Sequence, residues 1–227
     1  TWNTVVDDIY VLHQRLKQRY PDVPLCIMGH SMGSFLTRTY LIRYPGTVKA
    51  AVIMGTGWQP RAAITGGLAL ANAIAAVSGE NATSELVTEL AFGSYNKLFA
   101  PNRTKVDWLS ADESNVDDYI ADPLCGADAT VGLFRQMLHG IRFNQRQSHL
   151  RQMDREMPVL FVAGDKDPVG SCGKGVRQTY DAFRAAGMRD CTLKLYPGLR
   201  HEILNEKAYT ADITKNIEAW LLSRLEK

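Results

Sequence analysis

Leu25-Cys26-Ile27-Met28-Gly29-His30-Ser31-Met32-Gly33 runs from four consecutive apolar residues into a Gly-x-Ser-x-Gly pattern, and the following residues, 34–44, read as a helix that stops at Pro45-Gly46. A short unbroken apolar run ended by glycine is the pattern of a strand buried on both faces of a parallel sheet. A bare Gly-x-Ser-x-Gly is common in loops; between a strand and a helix it is far more specific. There the serine occupies a sharp turn in a strained backbone conformation, and glycine on either side lets neighbouring backbone pass without a Cβ clash. The turn lifts the hydroxyl above the sheet, with the positive end of the next helix behind it. Ser31 is thus the candidate nucleophile, and the backbone N–H of Met32 the candidate oxyanion donor.

Upstream, Val5, Ile9, Leu12 and Leu16 recur at helical spacing until Tyr20-Pro21, where proline disfavours further helix. Downstream, residues 48–54 read as a second buried strand. Helix, strand, helix, strand implies a mostly parallel sheet with helices on both faces. From 58 to 157 there are helix-like segments but no convincing strand, which predicts an inserted helical lid. Its segments are 66–77, 84–99 and 130–140, the last with Val131, Phe134, Met137 and Leu138 on one face. At least one of these helices should face the active site. The alternation then resumes with a strand at 158–163 and a helix at 174–186 closed by Gly187. A strand follows at 191–196, where Thr192 and Lys194 alternate with Leu193 and Leu195 as they would near a sheet edge. The final helix, 210–225, carries Ile213, Ile217, Trp220 and Leu221 on one side. The expected division is a core of residues 1–57 and 158–227 around a lid of residues 58–157.

A serine hydroxyl is a weak nucleophile at neutral pH and needs a base within hydrogen-bond reach, itself held by a third group. In this fold class the chain order is serine, acid, histidine. The strand at 158–163 ends in Gly164-Asp165-Lys166-Asp167-Pro168-Val169, and the strand at 191–196 ends in Pro197-Gly198-Leu199-Arg200-His201-Glu202. Acid and base therefore leave successive strands at their C-terminal ends, where open α/β sheets bind ligands. Asp167 is favoured as the acid because it lies two residues into the loop and can turn back toward His201. Asp165 leaves the strand directly and reads as a loop-stabilising residue. Among the histidines, His13 lies on a helix, His30 in the serine turn, and His139 and His149 in the insertion; only His201 follows the acid.

Composition narrows the remaining classes. The 227 residues suffice for one α/β domain with a large insertion. Lys plus Arg number 26 against 24 for Asp plus Glu, and their scatter leaves no footprint for nucleic acid, so a small or neutral partner is expected. Cys26, Cys125, Cys172 and Cys191 have no metal-ligand spacing and read as buried free thiols of a reducing cytoplasm. Neither metal nor cofactor is expected. The longest apolar stretch, 68–77, is shorter than the roughly 20 residues that span a bilayer, so no transmembrane segment is expected. Thr1 is neither an initiator Met nor the start of a signal peptide, and the chain reads as beginning inside a longer sequence.

Three motifs together, Gly29-His30-Ser31-Met32-Gly33, Gly164-Asp165-Lys166-Asp167-Pro168-Val169 and His201-Glu202-Ile203-Leu204-Asn205-Glu206, resemble the monoacylglycerol lipase and lysophospholipase group of α/β-hydrolases, also described as the serine aminopeptidase-type family. The lid segment Arg103-Thr104-Lys105-Val106-Asp107-Trp108-Leu109 is similar to bacterial members. The resemblance implies an α/β-hydrolase fold with the triad Ser31, Asp167 and His201, and a monoacylglycerol or lysophospholipid as the lipid-like ester substrate. The alternatives are a peptidase acting at N-terminal residues, as the family name allows, or a catalytically inactive interaction fragment. The front of the chain departs from the pattern. Members of this fold carry N-terminal strands and a His-Gly loop that supplies a second oxyanion N–H, and these strands are absent here. Only the nucleophile strand and three later ones are expected, leaving an apolar edge to be covered by further N-terminal residues, by a second polypeptide or by a homodimer pairing edge to edge.

Overall fold

The computed structural model describes residues 1–225. A first helix α1 (Trp2–Arg19) leads into strand β1 (Cys26–His30), helix α2 (Met32–Arg43) and strand β2 (Ala50–Met54). Five helices follow before the next strand: α3 (Arg61–Ser78), α4 (Glu85–Lys97), α5 (Glu113–Ala121), α6 (Val131–Asn144) and the short α7 (Gln147–Leu150), with a 3-10 turn at Asp107–Leu109 before α5. The chain then returns through β3 (Val159–Gly164), α8 (Lys174–Ala185), β4 (Cys191–Tyr196) and α9 (Thr210–Leu225). The four strands lie in the order β1-β2-β3-β4, and every pair is parallel. This is the α/β-hydrolase architecture in which a parallel sheet is flanked by helices and interrupted by a helical insertion.

Strand alternation divides the apolar side chains between two layers. Ala51, Ile53, Val159, Phe161 and Ala163 face α1, α2 and α8, while Val52, Met54, Leu160 and Val162 face Ile213 and Ile217 of α9. Phe161 and Phe183 meet edge to face at 5.1 Å, and burying each such ring contributes about 1.5–3 kcal/mol. Helix α2 is buried on nearly all sides from Ser34 to Ile42, which explains why its sequence shows no clean amphipathic stripe.

Two expectations need correction. β1 is not buried on both faces: Ile27 packs on the α1/α2 layer, but Cys26 and Met28 on the other face are exposed. β1 is at the edge of the sheet, and among the described residues the layer around Ile213 and Ile217 of α9 draws its strand side chains from β2, β3 and β4. The cysteines are free but not buried; Cys26 and Cys172 are exposed, and Cys125 and Cys191 are half-buried. Helix α3 continues N-terminally beyond the 68–77 stretch to 18 residues of mean hydropathy 1.3, long and apolar enough by length and composition alone to cross a membrane. In the fold it packs along α6 through Ile64, Leu68 and Ala71. The 58–157 segment packs on the main domain at both ends, since Ile64 and Leu68 as well as Ile141, Leu150, Met153 and Met157 belong to the α1/α2/α8 layer. Trp2 Nε1 donates to Thr39 Oγ1 at 2.9 Å, and Thr39 Oγ1 to Asn144 Oδ1 at 2.8 Å, which roots α6 in that layer.

Candidate active site

Ser31 joins β1 to α2 with φ 54° and ψ −121°, a region that favours glycine and that a side-chain-bearing residue enters only when its surroundings enforce it. Its N–H donates to Met54 O at 3.1 Å, and its carbonyl accepts from the Ser34 hydroxyl at 2.6 Å. Gly29 is required there, because a Cβ would run into Gly33 O and Thr37 Oγ1. Gly33, by contrast, faces open space among the described residues, so only the first glycine of the pattern is demanded by packing. Met32 is the first residue of α2, and its N–H is one of the helix-initial donors that have no intrahelical acceptor.

His201 lies in the loop after β4 and is buried, as is Asp167 in the loop after β3. His201 Nδ1 and Asp167 Oδ2 are 3.0 Å apart, and Asp167 Oδ1 accepts from Val169 N at 2.9 Å. Asp165 points elsewhere: its Oδ1 accepts from Gly198 N at 2.8 Å and ties the two loops together. Of the two competing aspartates, the fold therefore brings Asp167 to His201. His30 joins the serine turn to the histidine loop, with Nε2 3.1 Å from His201 O and ring centroids 4.5 Å apart. Burial holds the His30 pKa below its ordinary value, with His201 adding to the effect; the neutral ring can then donate its Nε2–H to that carbonyl. Gly55, at φ 58°, keeps the floor clear, since a Cβ would press on both imidazoles at 3.1 Å. Among the described residues no hydrogen bond joins Ser31 Oγ to His201, and such contacts often tighten only when substrate is bound.

Ser31 and Met32 open into a cavity of about 560 Å³, within the usual range for small-molecule sites. Its wall is apolar and comes from the insertion: Ile64 of α3, Leu90 and Phe92 of α4, and Phe134 and Met137 of α6. Tyr95 and Trp108 complete the wall toward His201, with the indole 5.3 Å from the phenol and 5.2 Å from the His201 ring. Burial, with Asp167 adding, pushes the Tyr95 phenol up to about 12. Among the described residues no group of three His, Cys, Asp or Glu is arranged to hold a metal ion.

The model of the family described as serine aminopeptidase, S33, matches residues 1–208. The chain belongs to this family of α/β-hydrolases. Among its relatives is a monoacylglycerol lipase of Mycolicibacterium smegmatis, 30% identical over 97% of this chain and 70% of that protein. A monoglyceride lipase of Mus musculus is 26% identical over 97% of this chain and 65% of its own length. A crystal structure of a thermostable carboxyl esterase from Bacillus coagulans in complex with glycerol superposes with a TM-score of 0.90 at 24% identity, covering 98% of this chain and 72% of that one. As a member of the esterase and lipase branch of the S33 family, the chain is an ester hydrolase.

The sequence of this S33 member does not announce the aromatic wall beside His201. In the sequence, Trp108 lies within the 103–109 segment and Tyr95 within the amphipathic 84–99 segment. No local signal marks either, because Trp108 meets the His201 ring and Tyr95 meets Trp108 through chain folding rather than through spacing.

Proposed function

We propose that Ser31, His201 and Asp167 are the catalytic triad of a hydrolase that cleaves carboxylic esters with an apolar acyl chain, of the monoacylglycerol or lysophospholipid kind. The observation that carries it is the buried His201–Asp167 pair, 3.0 Å apart, next to a serine turn that opens into an apolar cavity. Asp167 accepts the Nδ1–H and so leaves Nε2 free to take the Ser31 proton as Oγ attacks the ester carbonyl. The Met32 N–H donates to the oxyanion of the tetrahedral intermediate. Collapse expels the alcohol, which takes the proton from Nε2, and leaves the acyl group on Ser31 Oγ. Water, deprotonated by His201, attacks this acyl-enzyme; the acid leaves and the serine proton returns.

Residues 58–157 act as the lid in this proposal, and their apolar lining favours an acyl chain over the charged amine of a peptide N-terminus, whose desolvation would go uncompensated. The names of the relatives, monoacylglycerol lipase and monoglyceride lipase, point the same way. The test is intact-mass labelling with a fluorophosphonate beside turnover of p-nitrophenyl esters and of aminoacyl amides. One adduct, lost in Ser31→Ala, with ester but not amide turnover is expected. Labelling that persists in Ser31→Ala removes the assignment, and amide turnover exceeding ester turnover replaces the substrate class.

A further inference from the structure

Two sequence motifs that lie far apart in the chain are docked on one another beside the site. Residues flanking His201 grip the lid segment that carries Trp108. Glu206, 3% exposed, accepts from Ala111 N at 2.8 Å through Oε1 and from Asp112 N at 3.1 Å through Oε2. Arg200 donates to Asp107 O and Ser110 O, and its guanidinium lies 4.0 Å from the centroid of the Phe99 ring. Glu202 N donates to Leu109 O at 2.8 Å. Trp108 sits in the middle of the gripped segment, its N–H bonded to Asn96 Oδ1 at 3.0 Å and its indole against the His201 ring.

This matters because His201 is on a loop, with no strand or helix of its own to fix it. Its ring is located by what touches it: the Asp167 carboxylate, the His30 ring and the Trp108 indole. Two of these come from the core. The third belongs to the insertion and would move with it, were the 107–112 segment not clasped by the histidine loop itself. A buried carboxylate accepting two backbone N–H groups is a strong anchor, since both bonds are charge-assisted.

Resting on the ester-hydrolase reading of Ser31 and His201, we propose that Trp108 is a positioning residue for His201, and that Glu206 and Arg200 act in catalysis through it by locking residues 107–112 to the histidine loop. The catalytic end of the lid is then a fixed wall of the active site. An error of about 1 Å in such a constellation costs on the order of 10²-fold in rate.

The test compares Trp108→Ala, Trp108→Phe, Glu206→Ala, Arg200→Met and the double variant Glu206→Ala/Trp108→Ala in p-nitrophenyl butyrate hydrolysis. Trp108→Ala, Glu206→Ala and Arg200→Met should each lower kcat by about 10²-fold with KM nearly unchanged. Trp108→Phe, which keeps an aromatic face, should recover most of the loss. The double variant should be no worse than Trp108→Ala alone, because residues acting through one contact are not additive. Wild-type kcat in Arg200→Met, or a double variant whose loss is the product of the two single losses, overturns the proposal; Arg200→Met decides it if Glu206→Ala fails to fold. Hydrogen exchange of the 107–112 amides reads the clasp without substrate. Slow exchange in the wild type and fast exchange in Arg200→Met support it, and fast exchange in the wild type overturns it even if no ester is turned over, the outcome that would instead remove the proposed function.

Discussion

Asp167→Asn changes the charge and one donor–acceptor assignment of the site with almost no change in volume. Both carboxylate oxygens are committed, Oδ2 to His201 Nδ1 at 3.0 Å and Oδ1 to Val169 N at 2.9 Å, and the side chain is fully buried. An amide offers one oxygen and one NH2 group. With the oxygen kept on the Val169 amide, the NH2 faces Nδ1 and forces the imidazole proton to Nε2, where it can no longer accept from Ser31. With the amide reversed, two donors oppose each other in the interior, which costs about 1–3 kcal/mol of stability. A wrong tautomer in such a triad lowers kcat by about 10⁴, equivalent to about 5.4 kcal/mol of activation free energy. Asp165→Asn keeps an acceptor for Gly198 N at the surface and should change the rate by no more than about twofold. Steady-state ester hydrolysis with thermal melts of both variants is the assay. A folded Asp167→Asn retaining more than about a tenth of wild-type kcat, or a larger loss in Asp165→Asn, would refute this assignment.

Three further outcomes are expected. Ser31→Ala and Ser31→Gly should both be inactive, but the glycine variant should unfold at higher denaturant, because it relieves a positive-φ strain of about 1–3 kcal/mol against a chain-entropy cost of about 0.4–1 kcal/mol; equal midpoints would mean the turn is unstrained. Gly29→Ala should destabilise the fold by about 1–3 kcal/mol in urea titration, through the overlap with Gly33 O and Thr37 Oγ1, whereas Gly33→Ala should not. His30 has its folded pKa below the ordinary 6.5, burial being the main cause, so the unfolded chain takes up a proton that the folded one resists. Stability from this residue is complete above about pH 6.5 and is lost as pH falls from there to the folded pKa, by up to about 1.36 kcal/mol per pH unit. Stability curves of wild type and His30→Gln that run parallel from pH 7 to 5 would count against it.

Local pattern alone was enough to place the helices and strands in order, because each is announced by a period or a run: Val5-Ile9-Leu12-Leu16 for a helix, the unbroken apolar runs 50–54 and 158–163 for strands inside a parallel sheet. Chain order likewise nominated Ser31 and His201. What local pattern does not encode is which surfaces a neighbour covers. Leu25-Cys26-Ile27-Met28 has the composition of a doubly buried strand, yet Cys26 and Met28 are exposed, since burial depends on which elements pack beside and over the strand. The same holds for Asp165 and Asp167, identical in type and two residues apart: the turn of the loop sends one to Gly198 and the other to His201. It holds most strongly for Trp108 and Glu206, nearly a hundred residues apart in sequence. Hydrophobic periodicity is a property of neighbours along the chain and could be read from it. Contacts between loops are set by how whole elements pack, and only the folded chain brings those side chains within bonding distance.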